Sequence, residues 1–297
     1  MGMAANWRVL AEGLSAISGE KPALLVGCHA LGLSLPCCEV DVVVFKAQAR
    51  SEVRQLFGLT LALHVLAEEP REAFARWPER LVGAIPLYDP HLELGSLVAA
   101  LARRSNALGA GRALSAARAG LRALTCARIG QAEAGFIWLC AGALLLAEAE
   151  LLRRGQALSP THLFTQLEPL SPELARLLKV LVGGSRKAIG ARLEAYKALA
   201  EAGAEMGAVK RATWLLEHGA DREAACLLAY RLLREAGVLE LGLDARAPAL
   251  SLRPRLQARL MKAGWPSLSP AKLQDLGGRL LELISLGWGP KIGLKPR

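Results

Sequence analysis

The chain has 297 residues, of which 53% are apolar and 5% aromatic, and it carries a formal net charge of +10. This length is sufficient for two domains with a sizeable buried core. The small number of aromatic residues argues against a surface that binds nucleic acid mainly by stacking its bases.

Three features bear on the cellular compartment. The most apolar helical run, 136–147, is followed by Glu148 and Glu150; it is too short to cross a bilayer and predicts a buried core helix. The N-terminus lacks the basic-then-apolar pattern of a secretory signal. Six cysteines without CxxC spacing are typical of a reducing compartment. We therefore expect a cytoplasmic protein that does not associate with a membrane.

The first part of the chain predicts a mixture of helices and strands. Apolar residues at three- and four-residue steps indicate an amphipathic helix over 5–18. Apolar, β-branched runs indicate strands, and more polar segments with helical spacing indicate short helices. The predicted strands are 23–26, 40–45, 59–67 and 82–88, and the predicted short helices are 46–57 and 72–81.

From Leu94 onward, helical periodicity dominates and is interrupted by Gly and Pro. Helix starts are predicted at Ser159-Pro160, Ser171-Pro172 and Ser269-Pro270, with Ser as the N-cap and Pro as the first helical residue. The predicted fold class is an α+β N-terminal domain with a small mixed sheet, followed by an all-α helical bundle. The predicted boundaries are 1–94 for the first domain, 95–286 for the helical domain and 287–297 for a loose basic tail.

Two carboxylates lie at the start of the second predicted strand. Glu39 and Asp41 are two residues apart, so in a strand their side chains project from the same face. Neighbouring carboxylates repel each other and need a cation. Mg²⁺ meets this need, because it takes oxygen ligands and keeps other positions for water and substrate phosphate.

The order of these residues resembles a known family. Gly27-Cys28-His29-Ala30-Leu31-Gly32, followed by Glu39-Val40-Asp41 on the next strand, resembles the signature of the DNA polymerase β-like nucleotidyltransferases, particularly their minimal and antibiotic-type branch. The resemblance covers the predicted N-terminal domain. It implies that Gly27 and Cys28 hold the phosphates of a nucleoside triphosphate, and that Glu39 and Asp41 are catalytic residues that bind Mg²⁺ or Mn²⁺.

The sequence departs from the family pattern at three positions. Cys28 replaces a serine, and Glu39 replaces an aspartate. The family also has a third carboxylate on a following strand, but the predicted strand 59–67 offers only His64, on the face that carries Thr60 and Ala62. We therefore predict His64 as the third metal ligand. Imidazole suits Mn²⁺ better than Mg²⁺, so activity is expected to be weak with Mg²⁺ and stronger with Mn²⁺.

Other carboxylates offer alternatives to His64. Glu68 or Glu69, just beyond the same strand, could reach back to the site. A strand that ends in Leu87-Tyr88-Asp89-Pro90 also resembles nucleotidyltransferase domains. However, an aspartate before proline is common in turns and caps, and this interpretation of Asp89 is favoured over metal binding.

The charge is unevenly distributed along the chain. Residues 1–95 hold 8 basic and 11 acidic residues, and residues 96–297 hold 29 and 16, so the two parts carry net charges of −3 and +13. The basic part predicts a polyanionic partner such as RNA, contacted by Arg253, Arg255, Arg259 and Lys262. The alternative is that arginines simply coat solvated helix faces.

Together these patterns predict a metal-dependent nucleotidyltransferase that moves a nucleotidyl group from a nucleoside triphosphate to an acceptor hydroxyl. A small molecule, a tRNA end and a protein hydroxyl are all open as acceptors. The alternative is a catalytically inactive nucleotidyltransferase fold that binds RNA or a partner protein, which the missing third carboxylate supports.

Overall fold

The computed structural model describes residues 21–45, 52–56, 59–241, 260, 262–265 and 268–293. The chain divides into two compact units. The first, called the sheet unit below, comprises Met1–Leu108 and Leu152–Ser159. The second, called the helical unit, comprises Gly109–Leu151 and Pro160–Arg297.

The sheet unit contains a mixed five-stranded sheet in the order β3-β4-β2-β1-β5. Strands β2 and β4 are parallel, and the other neighbouring pairs are antiparallel. This confirms the prediction of an α+β N-terminal part with a small mixed sheet, followed by helices. The strands are β1 (Ala23–Val26), β2 (Val40–Phe45), β3 (Glu52–Leu56), β4 (Leu59–Leu66) and β5 (Ile85–Tyr88).

Strand β2 lies in the middle of the sheet and is buried on both faces. Val40, Val42 and Val44 belong to the apolar layer on one face, and Val43 and Phe45 belong to the layer on the other. A strand covered on both sides is expected to be almost continuously apolar. Asp41 is therefore an exception within this strand, and it lies on the face of Val43 and Phe45 because side chains alternate along a strand.

Short helices cover this sheet. They are α1 (Gly27–Ala30), α2 (Pro70–Arg76) and α3 (Pro78–Leu81), and the long helix α4 (Glu93–Arg128) begins in the same unit. The single helix predicted at 72–81 is thus two helices that meet at Trp77, since Pro78 starts the second one. The strand predicted at 82–88 begins only at Ile85.

The helix predicted over 46–57 is wrong for its second half. Residues Glu52–Leu56 form strand β3, which pairs antiparallel with β4 from Glu52↔Leu63 to Leu56↔Leu59. Val53 is 63% exposed, as expected for an edge strand. This short segment, Glu-Val-Arg-Gln-Leu, has no clear strand or helix periodicity. Hydrogen bonding to β4 decides between strand and helix, because short segments have weak intrinsic preferences.

The helical unit contains the rest of α4 and eight further helices among the described residues. Ser269 starts the last helix as predicted, because its Oγ accepts a hydrogen bond from Lys272 N at 3.2 Å. Pro172 is likewise the first residue of its helix. The helices are α5 (Ala132–Arg153), α6 (Leu163–Leu167), α7 (Pro172–Val182), α8 (Arg186–Ala200), α9 (Met206–Glu217), α10 (Asp221–Glu235), α11 (Val238–Leu241) and α12 (Pro270–Ile292).

Helix α5 contains the apolar run that was predicted to be a core helix. Among the described residues it is the one helix long and apolar enough to cross a membrane by length and composition, but 94% of its most apolar stretch is buried within the protein. The core helix of a water-soluble protein has the same composition, so the run carries little weight as a membrane signal.

The predicted basic tail, 287–297, is wrong at its start. Helix α12 continues to Ile292, and the fully buried Trp288 donates a hydrogen bond from Nε1 to Glu150 Oε1 at 2.8 Å. A single buried tryptophan gives no periodic signal, which is why the sequence did not indicate a helix here. The predicted boundary at 94–95 falls in the first turn of α4, whereas the compact units divide within this helix, between Leu108 and Gly109.

Candidate active site

Gly27 forms the turn that ends β1. Its φ is +72°, and a Cβ at this position would lie 2.8 Å from Oδ2 of Asp41. L-residues with side chains avoid this backbone conformation, and real Cβ atoms do not approach an oxygen so closely. Only glycine therefore lets the start of α1 lie directly against the Asp41 carboxylate.

Asp41 and His64 come together through the parallel pairing of β2 and β4. Asp41 pairs with Ala62 and Val43 with His64, so both polar side chains lie on the same face of the sheet. Asp41 Oδ1 is 3.1 Å from His64 Nε2. The side chains are 21% and 51% exposed, respectively, so solvent and a dissolved ligand can reach the pair.

Glu39 and Cys28 occupy the remaining predicted positions. Glu39 lies directly before the first residue of β2 and is partly buried, so its function as a metal ligand stays a prediction. Cys28 is buried in α1, where its carbonyl oxygen accepts a hydrogen bond from Leu33 N at 2.9 Å. The sequence did not indicate a second sulfur beside it, yet the Sγ atoms of Cys28 and Cys38 lie within 4.8 Å of each other.

The alternative carboxylates have other partners. Glu68 Oε2 forms an ion pair with Arg76 Nη1 at 3.3 Å. Glu69 caps helix α2, where its side chain and that of Glu72 form a reciprocal capping box. Asp89 Oδ2 accepts a hydrogen bond from Gly95 N at 2.8 Å, which agrees with its interpretation as a cap. Of these predicted candidates for the third ligand, His64 is the one that lies against Asp41.

The spacing of this pair is compatible with a shared metal ion. Two ligand atoms on neighbouring positions of an octahedral ion with bonds of about 2.1 Å are about 3 Å apart. The 3.1 Å between Asp41 Oδ1 and His64 Nε2 agrees with this value and equally with a direct hydrogen bond. One imidazole beside a carboxylate fits Mn²⁺ better than Mg²⁺, which strongly prefers oxygen.

The residues predicted to contact a polyanion fall mostly outside the described part of the chain. Arg253, Arg255 and Arg259 lie in the segment 242–259, of which the structure describes nothing. Lys262 is described and is exposed. The RNA-binding face therefore stays a prediction from charge.

Comparison of the chain with protein-family models, curated proteins and solved structures finds no match. The class of protein is therefore inferred from the chain's own residues and their geometry.

Proposed function

We propose that the protein is a metal-dependent nucleotidyltransferase, and that the sheet unit has the fold of that family. The observation that carries this proposal is the approach of Gly27 to Asp41, with His64 on the other side of the same carboxylate. The family pattern is a strand, a glycine turn and a second strand with an acidic-x-acidic triplet at its start, here Glu39-Val40-Asp41. The acceptor hydroxyl is open.

In this proposal each residue has a defined task. The turn of Gly27 and Cys28 would hold the triphosphate through its backbone amides, as the resemblance to the family implies. Asp41, Glu39 and His64 would hold Mn²⁺ or Mg²⁺. When bound, such an ion lowers the pKa of the acceptor hydroxyl and offsets the charge on the leaving pyrophosphate. Without the ion, the 3.1 Å between Asp41 Oδ1 and His64 Nε2 allows a direct hydrogen bond that holds the imidazole in place, and binding of the ion would replace this bond.

The test is incubation of the full chain with labelled nucleoside triphosphates, Mg²⁺ or Mn²⁺, and small-molecule, tRNA and protein acceptors. Transfer of label is expected in the wild type, with a loss of at least about 100-fold in Asp41→Asn, because the amide removes the negative charge that binds the ion. Asp275→Asn is the matched control, since Asp275 is exposed in the helical unit and pairs with Lys272. Equal activity in Asp41→Asn and wild type would contradict the proposal.

The position of His64 leads to a prediction about metal preference. Replacing His64 with Asp adds a third carboxylate to the proposed ligands Glu39 and Asp41, so Mg²⁺-dependent turnover should rise by about 10-fold. The ratio of Mn²⁺-dependent to Mg²⁺-dependent turnover should fall at the same time. His64→Ala, which removes the imidazole without adding a carboxylate, should not raise Mg²⁺-dependent turnover.

The contact between Asp41 and His64 also favours a second candidate function. Apart from Glu39, the proposed metal site contains only one carboxylate, and that carboxylate is within hydrogen-bonding distance of a histidine. This arrangement also suits a nucleotidyltransferase fold that binds RNA or a partner protein without catalysis. Binding of RNA that weakens with salt, together with no transfer of label under any metal condition, would identify this second function.

A further inference from the structure

Two cysteines of the sheet unit are close enough to react with each other. Cys28 and Cys38 are both thiols in the structure, and their Sγ atoms lie within 4.8 Å. Cys28 is 6% exposed within α1, whereas Cys38 is partly exposed in the segment between α1 and β2. The Nε2 atom of His29 lies 3.4 Å from the carbonyl oxygen of Cys38, so a second contact also joins α1 to this segment.

The surroundings of Cys38 favour its reaction with an oxidant. The backbone N–H of Leu35 donates a hydrogen bond to Cys38 Sγ at 3.4 Å, so this sulfur has a defined position in the segment before β2. A cysteine that reacts with an oxidant must be accessible. Of the two cysteines, Cys38 is the more accessible one.

We infer that Cys28 and Cys38 form a reversible disulfide, and that this pair is a redox-sensitive site. Hydrogen peroxide is the oxidant. The Cys38 thiolate attacks one peroxide oxygen and breaks the O–O bond, which gives a sulfenic acid and hydroxide. Cys28 Sγ then attacks Cys38 Sγ, the S–S bond forms, and the sulfenic oxygen leaves as water. Overall, two thiols lose two electrons and two protons, and one peroxide becomes two waters.

The two sulfurs have to move only a short distance to form this bond. A disulfide requires them at about 2.05 Å, and they lie within 4.8 Å of each other before reaction. The new bond would close a loop from α1 to the residue directly before Glu39. Cys37 is adjacent to Cys38 in the sequence, but a disulfide between neighbouring residues is strained. Cys28, and not Cys37, is therefore the expected partner of Cys38.

The disulfide would also affect the proposed active site. Cys28 follows Gly27 in the turn that is proposed to hold the triphosphate, and a bond to Cys38 restrains that turn. Oxidation should therefore weaken binding of a nucleoside triphosphate, and dithiothreitol should restore it. This consequence rests on the proposed nucleotidyltransferase function, whereas the disulfide itself does not.

The experiment treats the full chain with hydrogen peroxide and maps the linked peptides by mass spectrometry without reduction. A Cys28–Cys38 linkage is expected in wild type and in Cys37→Ser, the matched control, and should be absent from Cys28→Ser and Cys38→Ser. Linkage through Cys37, or oxidation of Cys38 to sulfinic acid with Cys28 intact, would overturn the inference. So would tightly bound zinc that must be chelated before any linkage forms, since the pair would then be a metal site.

Formation of the disulfide and its effect on nucleotide binding can be distinguished by experiment. A mapped disulfide with unchanged nucleotide binding would overturn the regulatory consequence and leave the redox site standing. A reduced protein that binds and transfers no nucleotide would overturn the proposed function, although the linkage could still be mapped.

Discussion

Two glycines of the sheet unit have nearly the same backbone conformation but different surroundings. Gly27 has a φ of +72° and Gly32 a φ of +70°. A Cβ at Gly27 would lie 2.8 Å from Asp41 Oδ2, whereas a Cβ at Gly32 would meet nothing within 4 Å. The pair therefore separates the cost of the backbone conformation from the cost of crowding the Asp41 carboxylate.

Substituting each glycine with alanine should show this difference. Gly32→Ala should lower the free energy of unfolding by about 1–2 kcal/mol, the cost of a left-handed conformation for an L-residue. Gly27→Ala should lose this amount plus about 1–3 kcal/mol for the overlap, and it should also weaken nucleotide binding. Urea titrations of both variants measure the first effect. Equal losses in the two variants would mean that the approach to Asp41 is not tight.

At the scale of secondary-structure elements, a buried arginine of α8 binds the carbonyl groups at the C-terminal end of helix α7. Arg192 is fully buried, and its two Nη atoms donate to the carbonyl oxygens of Val182 and Gly183. Its guanidinium also lies over the ring of Trp265, 4.9 Å from the centroid. Burial lowers the pKa of Arg192, but an arginine stays charged at neutral pH. The end of α7 is therefore held by a side chain from α8.

Helices α4 and α12 approach each other closely at a glycine. A Cβ at Gly109 would lie 2.7 Å from Trp288 Cη2 and 2.9 Å from the carbonyl oxygen of Ala149 in α5. The second atom belongs to the backbone and cannot move away as a flexible side chain can. Gly111, two residues further along α4, has open space at the same position.

Alanine substitution is therefore expected to change the free energy of unfolding in opposite directions at Gly109 and Gly111. Gly109→Ala should lower the free energy of unfolding by about 1–3 kcal/mol because the helices must separate. Gly111→Ala should raise it by about 0.5–1 kcal/mol, since alanine is the better helix former. Both values can be read from denaturant unfolding of the full chain. A stabilising effect of Gly109→Ala would contradict the close packing of Trp288.

At the scale of the whole molecule, buried titratable groups couple stability to pH. Burial, with a smaller contribution from Glu223, raises the pKa of the Cys226 thiol from 9.0 to about 12. Burial likewise raises the pKa of Tyr196 to about 12. In each case the unfolded chain loses its proton at a lower pH than the folded chain. The stabilisation is therefore fully present below the unfolded pKa and is lost as pH rises towards 12.

The expected result is a free energy of unfolding that falls above pH 9. Each group that titrates only in the unfolded chain adds about 1.4 kcal/mol per pH unit to the slope. Cys226→Ala should reduce the slope by about this amount between pH 10 and 11.5. Cys37→Ala, which removes a partly exposed thiol, should change it less. Chemical denaturation at a series of pH values provides the measurement, and an unchanged slope in Cys226→Ala would show that this thiol is not protected by folding.

The net charge of +10 predicts that any RNA binding depends on salt. The triple variant with Arg253, Arg255 and Arg259 changed to Gln should reduce the slope of log affinity against log salt by about 2, if all three contact phosphates. The matched variant with three Lys residues keeps the charge and should retain the slope. Fluorescence anisotropy with a labelled single-stranded RNA gives both values. RNA affinity that does not change with salt would contradict the proposed polyanionic partner.

The sequence by itself determined the features that depend on local patterns. The valine-rich run 40–45 is a buried strand, Ser269-Pro270 starts a helix, and the apolar run 136–147 lies in a buried helix. In each case hydrophobic periodicity or cap chemistry acts over a few neighbouring residues. Such signals survive folding because the tertiary structure reinforces the local preference.

The tertiary structure alone decided the features that depend on residues far apart in the chain. Segment 52–56 is a strand because β4 offers hydrogen-bonding partners. Trp288 is buried because Gly109 has no side chain where the indole ring packs, and because Glu150 accepts a hydrogen bond from the indole nitrogen. The register of β2 on β4 sets the 3.1 Å between Asp41 and His64. Neither the register nor the approach of Cys38 to Cys28 leaves a periodic signal, because each results from packing between separate segments.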